Sequence, residues 1–263
     1  MKILLKVSIV FIALSFFYFF KPVNKSSQNF LSLSEAEKIE KNIYNDFKKE
    51  IIVTRSGEME DRVIELKDKK IKFDIKHFGE QGEDGWSLFI SLHGGGGTTE
   101  SENNWFWNRH KTLYELENGI LFTPRSPTNT WNMWFQSHVD TFFNRIIQNM
   151  IAFHNVDPDK IGIMGWSYGG VVSVESQNMF NIKALNTKNR FALHIAYYPY
   201  CYHYDDVGTT DGAMVIMKGD QDTISYSQCK EWVEKISTED NHKKQIIFKG
   251  VTHNFDSDSI EAG

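Results

Sequence analysis

The chain has 263 residues, 41% of them hydrophobic and 24% charged, with 18 Gly and 5 Pro. That balance excludes disordered, collagen-like and low-complexity classes, and a chain of this length buries enough surface to fold without a metal or disulfide staple. A net charge of −5 gives no electrostatic ground for binding nucleic acid, and two cysteines build neither a disulfide scaffold nor, alone, a structural zinc site.

In chain order, Lys2 and Lys6 precede Val7–Phe20, an apolar run interrupted only by Ser8 and Ser15. A charged start followed by a short apolar stretch is the layout of an export signal. The run ends in Phe19-Phe20-Lys21-Pro22, without the small residues of a cleavage site, and its length is marginal for crossing ~30 Å of hydrocarbon. Residues 1–22 are therefore expected to act either as an export signal or as an uncleaved membrane tether through residues 3–20. The protein is expected outside the cytoplasm, periplasmic or secreted. No cysteine follows the run, which excludes a lipid anchor there.

Ser34-Glu35-Ala36-Glu37 reads as a capping box opening a helix to about Lys49. From Ile51 the period changes. Ile51–Thr54, Val63–Leu66 and Ile71–Phe78 read as antiparallel strands, separated by the turn-like Ser56-Gly57 and the charged Lys67–Lys70. Ser87–Leu92, Gly119–Thr123, Ile161–Met164, Leu193–Tyr198, Ala213–Lys218 and Gln245–Phe248 are short apolar runs of the buried-strand kind. Phe142, Phe143, Ile146, Ile147, Met150 and Ile151 mark one face of a helix that Asn155–Asp159 stops, and Tyr226–Ser237 fits another. This alternation predicts a single α/β domain over residues 33–263, with a mostly parallel sheet covered by helices on both faces.

The strand Ile161–Met164 runs into Gly165-Trp166-Ser167-Tyr168-Gly169-Gly170, a Gly-x-Ser-x-Gly pattern between strand and helix. Alone, that pattern is equally a glycine-rich turn. The strand before it and the Gly-Gly after it favour Ser167 as a nucleophile. Upstream, Leu88–Leu92 leads into His93-Gly94-Gly95-Gly96-Gly97, with neither of the glycine frames that cradle phosphates. The N–H groups of this loop suit an oxygen on which charge develops during acyl transfer. Gly95 is chosen over Gly94 and Gly96, and Tyr168 supplies the partner N–H. His93 reads as a structural residue holding the loop. Downstream, Gly219-Asp220-Gln221-Asp222 and Gly250-Val251-Thr252-His253 each follow a strand. Ser167, Asp222 and His253 thus stand in the chain order this elbow requires, with His253 as base and Asp222, rather than Asp220, as the acid that orients it.

On His93–Gly97, Gly165–Gly169, Gly219–Asp222 and Gly250–His253, the chain resembles the α/β-hydrolase superfamily and, within it, the dienelactone hydrolase-like group, over about residues 87–255. The resemblance implies the α/β-hydrolase fold and a serine esterase that needs no cofactor and no metal. Its partner would be a small-molecule ester cleaved through an acyl-enzyme. Dienelactone hydrolases proper use cysteine where Ser167 stands, so exported esterases of the group are the closer comparison. Similar proteins carry one more helix after the histidine; ten residues follow His253, and that helix is expected to be missing. A serine peptidase on the same triad and a non-catalytic protein on the same scaffold are the alternatives.

In a doubly wound sheet the elements after adjacent strands are neighbours, which puts Cys201 and Cys229 within bridging reach, and exported relatives imply such a pair. Two buried thiols are the alternative. A metal site on Cys201, His203, Asp205 and Asp206 has nothing else to complete a tetrahedral set and is set aside. Trp105, Phe106, Trp107, Trp131, Trp134 and Phe135 follow the site loops in sequence. Some would only pack the loops; together they predict a pocket for an apolar or aromatic acyl or alcohol group.

Overall fold

A computed structural model of the chain describes residues 31–95, 98–184, 189–201, 208–239 and 242–256. Residues 1–22, on which the export reading rests, lie outside these, as do Gly96, Gly97, His203, Asp205 and Asp206. The chain divides into two compact units, Met1–Asp46 and Phe47–Gly263.

The first unit contains the start of helix α1 (Leu33–Asp61). Its capping box begins two residues earlier than Ser34. The Glu35 N–H donates to the Ser32 hydroxyl at 3.3 Å, and the Ser32 N–H donates to the Glu35 carboxylate at 2.9 Å. The helix also runs on through Ile51–Thr54 and Ser56-Gly57, which the residue pattern reads as strand and turn. Burial explains the difference: Ile51 is buried while Ile52 and Val53 are exposed, a helical rather than an alternating pattern. The Thr54 hydroxyl is absorbed by the Glu50 carbonyl one turn back, at 2.8 Å.

The second unit is built on an eight-stranded sheet. Its strands are β1 (Val63–Leu66), β2 (Lys69–Phe78), β3 (Trp86–Leu92), β4 (Gly119–Pro124), β5 (Val156–Trp166), β6 (Leu193–Tyr197), β7 (Ala213–Gly219) and β8 (Lys243–Phe248). Spatial order is β1-β2-β4-β3-β5-β6-β7-β8. The pairs β1–β2 and β2–β4 are antiparallel; every pair from β4 to β8 is parallel. The helices of this unit after α1 are α2 (Glu100–Leu113), α3 (Val139–His154), α4 (Tyr168–Glu175), α5 (Met179–Ala184) and α6 (Ser227–Ile236). This is the α/β-hydrolase architecture expected from the sequence.

Two helices go beyond the sequence expectation. One is the short α5; the other is α2, whose start is written in Thr99-x-x-Glu102, a capping box made on both sides. β5 also begins at Val156 rather than Ile161, because the chain reverses at once on Asn155, in the left-handed region at φ 52°. Strand direction from β3 diverges to β4 on one side and β5 on the other, and loops beyond the carboxyl ends at such a switch form the crevice of these sheets.

Two apolar clusters hold the sheet. The larger joins Ile64, Phe73, Leu88, Ile90, Phe122 and Ile163 of β1–β5 to Phe142, Ile146 and Met150 of α3. Each such side chain, fully buried, stabilises by roughly 1.5–3 kcal/mol. The smaller joins Val174, Ala196, Met214, Ile216, Trp232 and Val233 to Cys201 and Cys229.

Candidate active site

β5 ends at Trp166 and α4 begins at Tyr168, so Ser167 alone makes the turn, at φ 48° and ψ −114°. A residue with a Cβ at such angles costs about 1–3 kcal/mol and persists only where its surroundings enforce it. Here the Ser167 N–H donates to the Tyr197 carbonyl at 2.9 Å, and its own carbonyl accepts the Val171 N–H at 2.9 Å. Gly165 and Gly169 meet backbone to backbone. A Cβ on Gly165 would overlap the Gly169 carbonyl, and one on Gly169 would overlap the Leu92 carbonyl of β3. The glycine spacing around the serine is thus a packing requirement. The first N–H groups of α4, Tyr168 foremost, lack helical partners and form its positive end.

The loop after β3 lies beside this turn. Gly95 adopts φ 121°, and a Cβ there would sit 2.7 Å from the Phe106 ring. His93 fixes the loop's base. Its Nε2 accepts the Ser126 N–H at 3.0 Å, so the ring proton is on Nδ1 and donates to the Gly94 carbonyl at 2.8 Å. The Trp134 indole N–H closes the arrangement on the His93 carbonyl at 2.9 Å. Burial, helped by the nearby Arg125 charge against the Gly94 bond, holds His93 neutral with a pKa down at about 4. It anchors the loop, as the sequence suggests.

Asp222 and His253 come together from the ends of β7 and β8. The His253 Nδ1 lies 3.0 Å from Asp222 Oδ2 and 3.1 Å from Oδ1. The carboxylate is fully buried, the imidazole partly exposed. Oδ1 also accepts the Ile224 N–H at 2.9 Å. With Nδ1 committed to the acid, Nε2 is the nitrogen left to exchange a proton. Asp220, the rejected candidate, points elsewhere: its Oδ1 accepts the Gly250 N–H at 2.7 Å in an exposed link between the two loops.

One group at this site escaped the sequence reading. Lys218, fully buried, donates to the Pro199 carbonyl at 2.9 Å and lies 3.7 Å from Asp222 Oδ2. Burial lowers its pKa and the Asp222 carboxylate opposes that shift. A lysine closing the apolar run Ala213–Gly219 was the visible signal, since a charge in a buried strand needs a partner. Next to it, Cys201 and Cys229 form a disulfide with Cα atoms 5.1 Å apart, so Cys201 has no thiolate to offer a metal.

The aromatic residues divide. Trp134 is buried on His93, and the Trp107 indole N–H donates to the Thr123 carbonyl at 2.9 Å; these two pack loops. Phe106 flanks Gly95, with exposed Trp105 edge-on to it at 5.0 Å. Exposed Phe135 stands 6.3 Å from the Tyr168 ring. Trp131 is exposed as well. Among the described residues, no helix is long and apolar enough to cross a membrane.

A model of the dienelactone hydrolase family matches residues 123–262, more than half of the chain. No curated protein matches. Among solved structures, Thermogutta terrifontis esterase 2 phosphonylated by cyclosarin superposes with a TM-score of 0.55 at 14% identity, over 74% of this chain and 84% of that one. The propionate-bound form gives 0.53 at 15% identity, over 73% and 83%. At these identities the likeness speaks for the fold.

Proposed function

Since the chain belongs to the dienelactone hydrolase family and is a carboxylic ester hydrolase, we propose that it cleaves its ester through an acyl-enzyme on Ser167. His253 takes the serine proton through Nε2 and returns it to the leaving alcohol; Asp222 holds the imidazole and stabilises its charged form. The N–H groups of Tyr168 and Gly95 receive the oxyanion, each contributing about 3–4 kcal/mol to the transition state. The observation that carries this reading is the buried Asp222 bonded to His253 at 3.0 Å, after the last two strands of the same parallel run whose strand β5 leads into Ser167 at φ 48°.

Phe106 beside Gly95, Trp105 edge-on to Phe106, and Phe135 near Tyr168 favour an apolar or aromatic group on the acyl or alcohol side. Residues 1–22 direct export or tether the chain; the Cys201–Cys229 bond suits an oxidising compartment. N-terminal sequencing of protein recovered outside the cytoplasm distinguishes cleavage from tethering.

Thermogutta terrifontis esterase 2 is phosphonylated by cyclosarin and phosphorylated by paraoxon. A fluorophosphonate should likewise label this protein once, at Ser167, and Ser167→Ala should abolish both labelling and hydrolysis of p-nitrophenyl esters. Labelling that survives Ser167→Ala, or ester turnover unchanged by it, rejects the assignment. A feruloyl ester and a dipeptide substrate in the same series test the aromatic preference and the peptidase alternative.

A further inference from the structure

The loop that carries His253 follows β8, the edge strand of the sheet, and among the described residues no strand pairs on its outer side. Beyond the Asp222 contact, something must fix the imidazole. Three residues past His253, Asp256 receives two hydroxyl groups: Tyr198 donates to Oδ1 and Tyr114 to Oδ2, each at 2.7 Å. Hydrogen bonds from hydroxyls to a carboxylate are among the stronger ones in proteins. Tyr198 also lies against the base itself, its ring centroid 4.4 Å from that of His253.

The two tyrosines are themselves rigidly placed. Tyr198 directly follows β6, fully buried, at φ 38°, with its N–H donating to the Met217 carbonyl at 2.7 Å. A buried aromatic residue held at such an angle marks a position its surroundings over-determine. Tyr114 caps the C-terminus of α2 and stacks on Tyr197 at 5.0 Å. Burial first, and the Asp256 charge second, raise the pKa of both tyrosines, so their hydroxyls stay protonated donors. Phe255 adds an edge contact to Tyr198 at 5.6 Å.

We propose that Asp256, gripped by Tyr114 and Tyr198, is a positioning clamp that sets the His253 imidazole against Ser167 and Asp222. The clamp ties the histidine loop to the ends of β6 and α2, elements distant from it in sequence. It rests on His253 being the base. The clamp acts on the position of the imidazole and not on substrate, so its loss affects the geometry of proton transfer rather than substrate binding.

The test is steady-state ester hydrolysis and fluorophosphonate inactivation of Asp256→Ala, Tyr198→Phe and Tyr114→Phe, with melting temperatures alongside. Asp256→Ala should lower kcat about 10–100-fold with KM within about two-fold, the range expected for small misplacement of a catalytic group. Inactivation rates should fall in parallel. Tyr114→Phe, whose ring is not packed on the imidazole, should lower kcat in the same direction about 3–10-fold. Both Phe substitutions should add nothing in the Asp256→Ala background, because they act through one carboxylate. Unchanged kcat, a rise in KM alone, or additive losses would overturn the clamp. His253→Ala in the same assay separates the premises. Full activity there overturns the base and the clamp with it; an inactive His253→Ala beside fully active clamp variants overturns the clamp alone.

Discussion

Beneath Ser167, β3, β4 and β5 bury Leu88, Ile90, Phe122 and Ile163 against Phe142, Ile146 and Met150 of α3. Beneath Asp222 and His253, β6 and β7 share a smaller apolar cluster that includes a disulfide and adjoins a buried lysine–aspartate pair. The two halves thus solve one positioning problem by different means. In the serine half, many large side chains and a backbone fit that admits only glycine fix the turn. Toward the sheet edge fewer large side chains are available, and covalent, ionic and hydroxyl contacts take their place. In the proposed mechanism, groups supplied from both halves must still meet within ångström tolerances, since small misplacement is costly.

Damage on the serine side should cost the most stability. Gly169→Ala drives a Cβ into the Leu92 carbonyl, a backbone atom that cannot rotate away. We expect a loss of about 3 kcal/mol or more, above the usual range for overpacking. Yield of folded protein and the urea midpoint check this. A variant with unchanged midpoint would show that the elbow tolerates separation from β3.

On the other side, the Cys201–Cys229 bond spans 28 positions. Loop entropy for that length gives roughly 3–4 kcal/mol. The Cys201→Ser, Cys229→Ser double variant should fold, melt lower by a corresponding amount and lose activity on warming before it unfolds globally, because the loop contains both Lys218 and Asp222. Calorimetry beside an activity–temperature curve reads both effects. Equal melting temperatures would mean that the small cluster suffices without its staple.

Acid should weaken the serine half through His93. Folded, it titrates near pH 4, against 6.5 when exposed in the unfolded chain. Between those values the unfolded chain binds a proton that the folded one refuses. The contribution is therefore complete above pH 6.5 and drains as pH falls toward 4, to a total of about 3 kcal/mol. In His93→Asn the melting temperature should depend less steeply on pH across that window, whatever its absolute stability. An unchanged slope would exclude His93 as the source.

What the sequence made legible follows the same division. The elbow was readable because Gly165, Ser167 and Gly169 answer a local steric demand, and local demands leave local patterns. The Asp222–His253 contact was readable from chain order and from the strands before the two residues. Lys218, Tyr114, Tyr198 and Asp256 were not, because their roles arise from contacts such as Tyr114 to Asp256, across 142 positions. The early segment failed for a related reason. Ile51–Thr54 has β-branched composition, but tertiary burial of Ile51 and the bonds of Arg55 to Gln148 and Asn149 of α3, at 2.9 and 3.1 Å, favour the helix.

The smallest expected effect tests how finely the acid–histidine half distinguishes two carboxylates two residues apart. Among the described residues, the Asp220 side chain accepts the exposed Gly250 N–H, and asparagine presents an oxygen in the same place. Asp220→Asn should therefore leave kcat within about two-fold and stability within about 0.5 kcal/mol, while Asp220→Ala should cost about 1 kcal/mol for the lost bond. Asp222→Asn is isosteric too, yet it replaces the acceptor facing His253 Nδ1 by a group that can donate, which favours the wrong tautomer. Its kcat should fall by about four orders of magnitude with little change in fold. Measured side by side, the two isosteric changes separate a turn-forming carboxylate from an orienting one. A larger loss for Asp220→Asn than for Asp222→Asn would exchange the two roles.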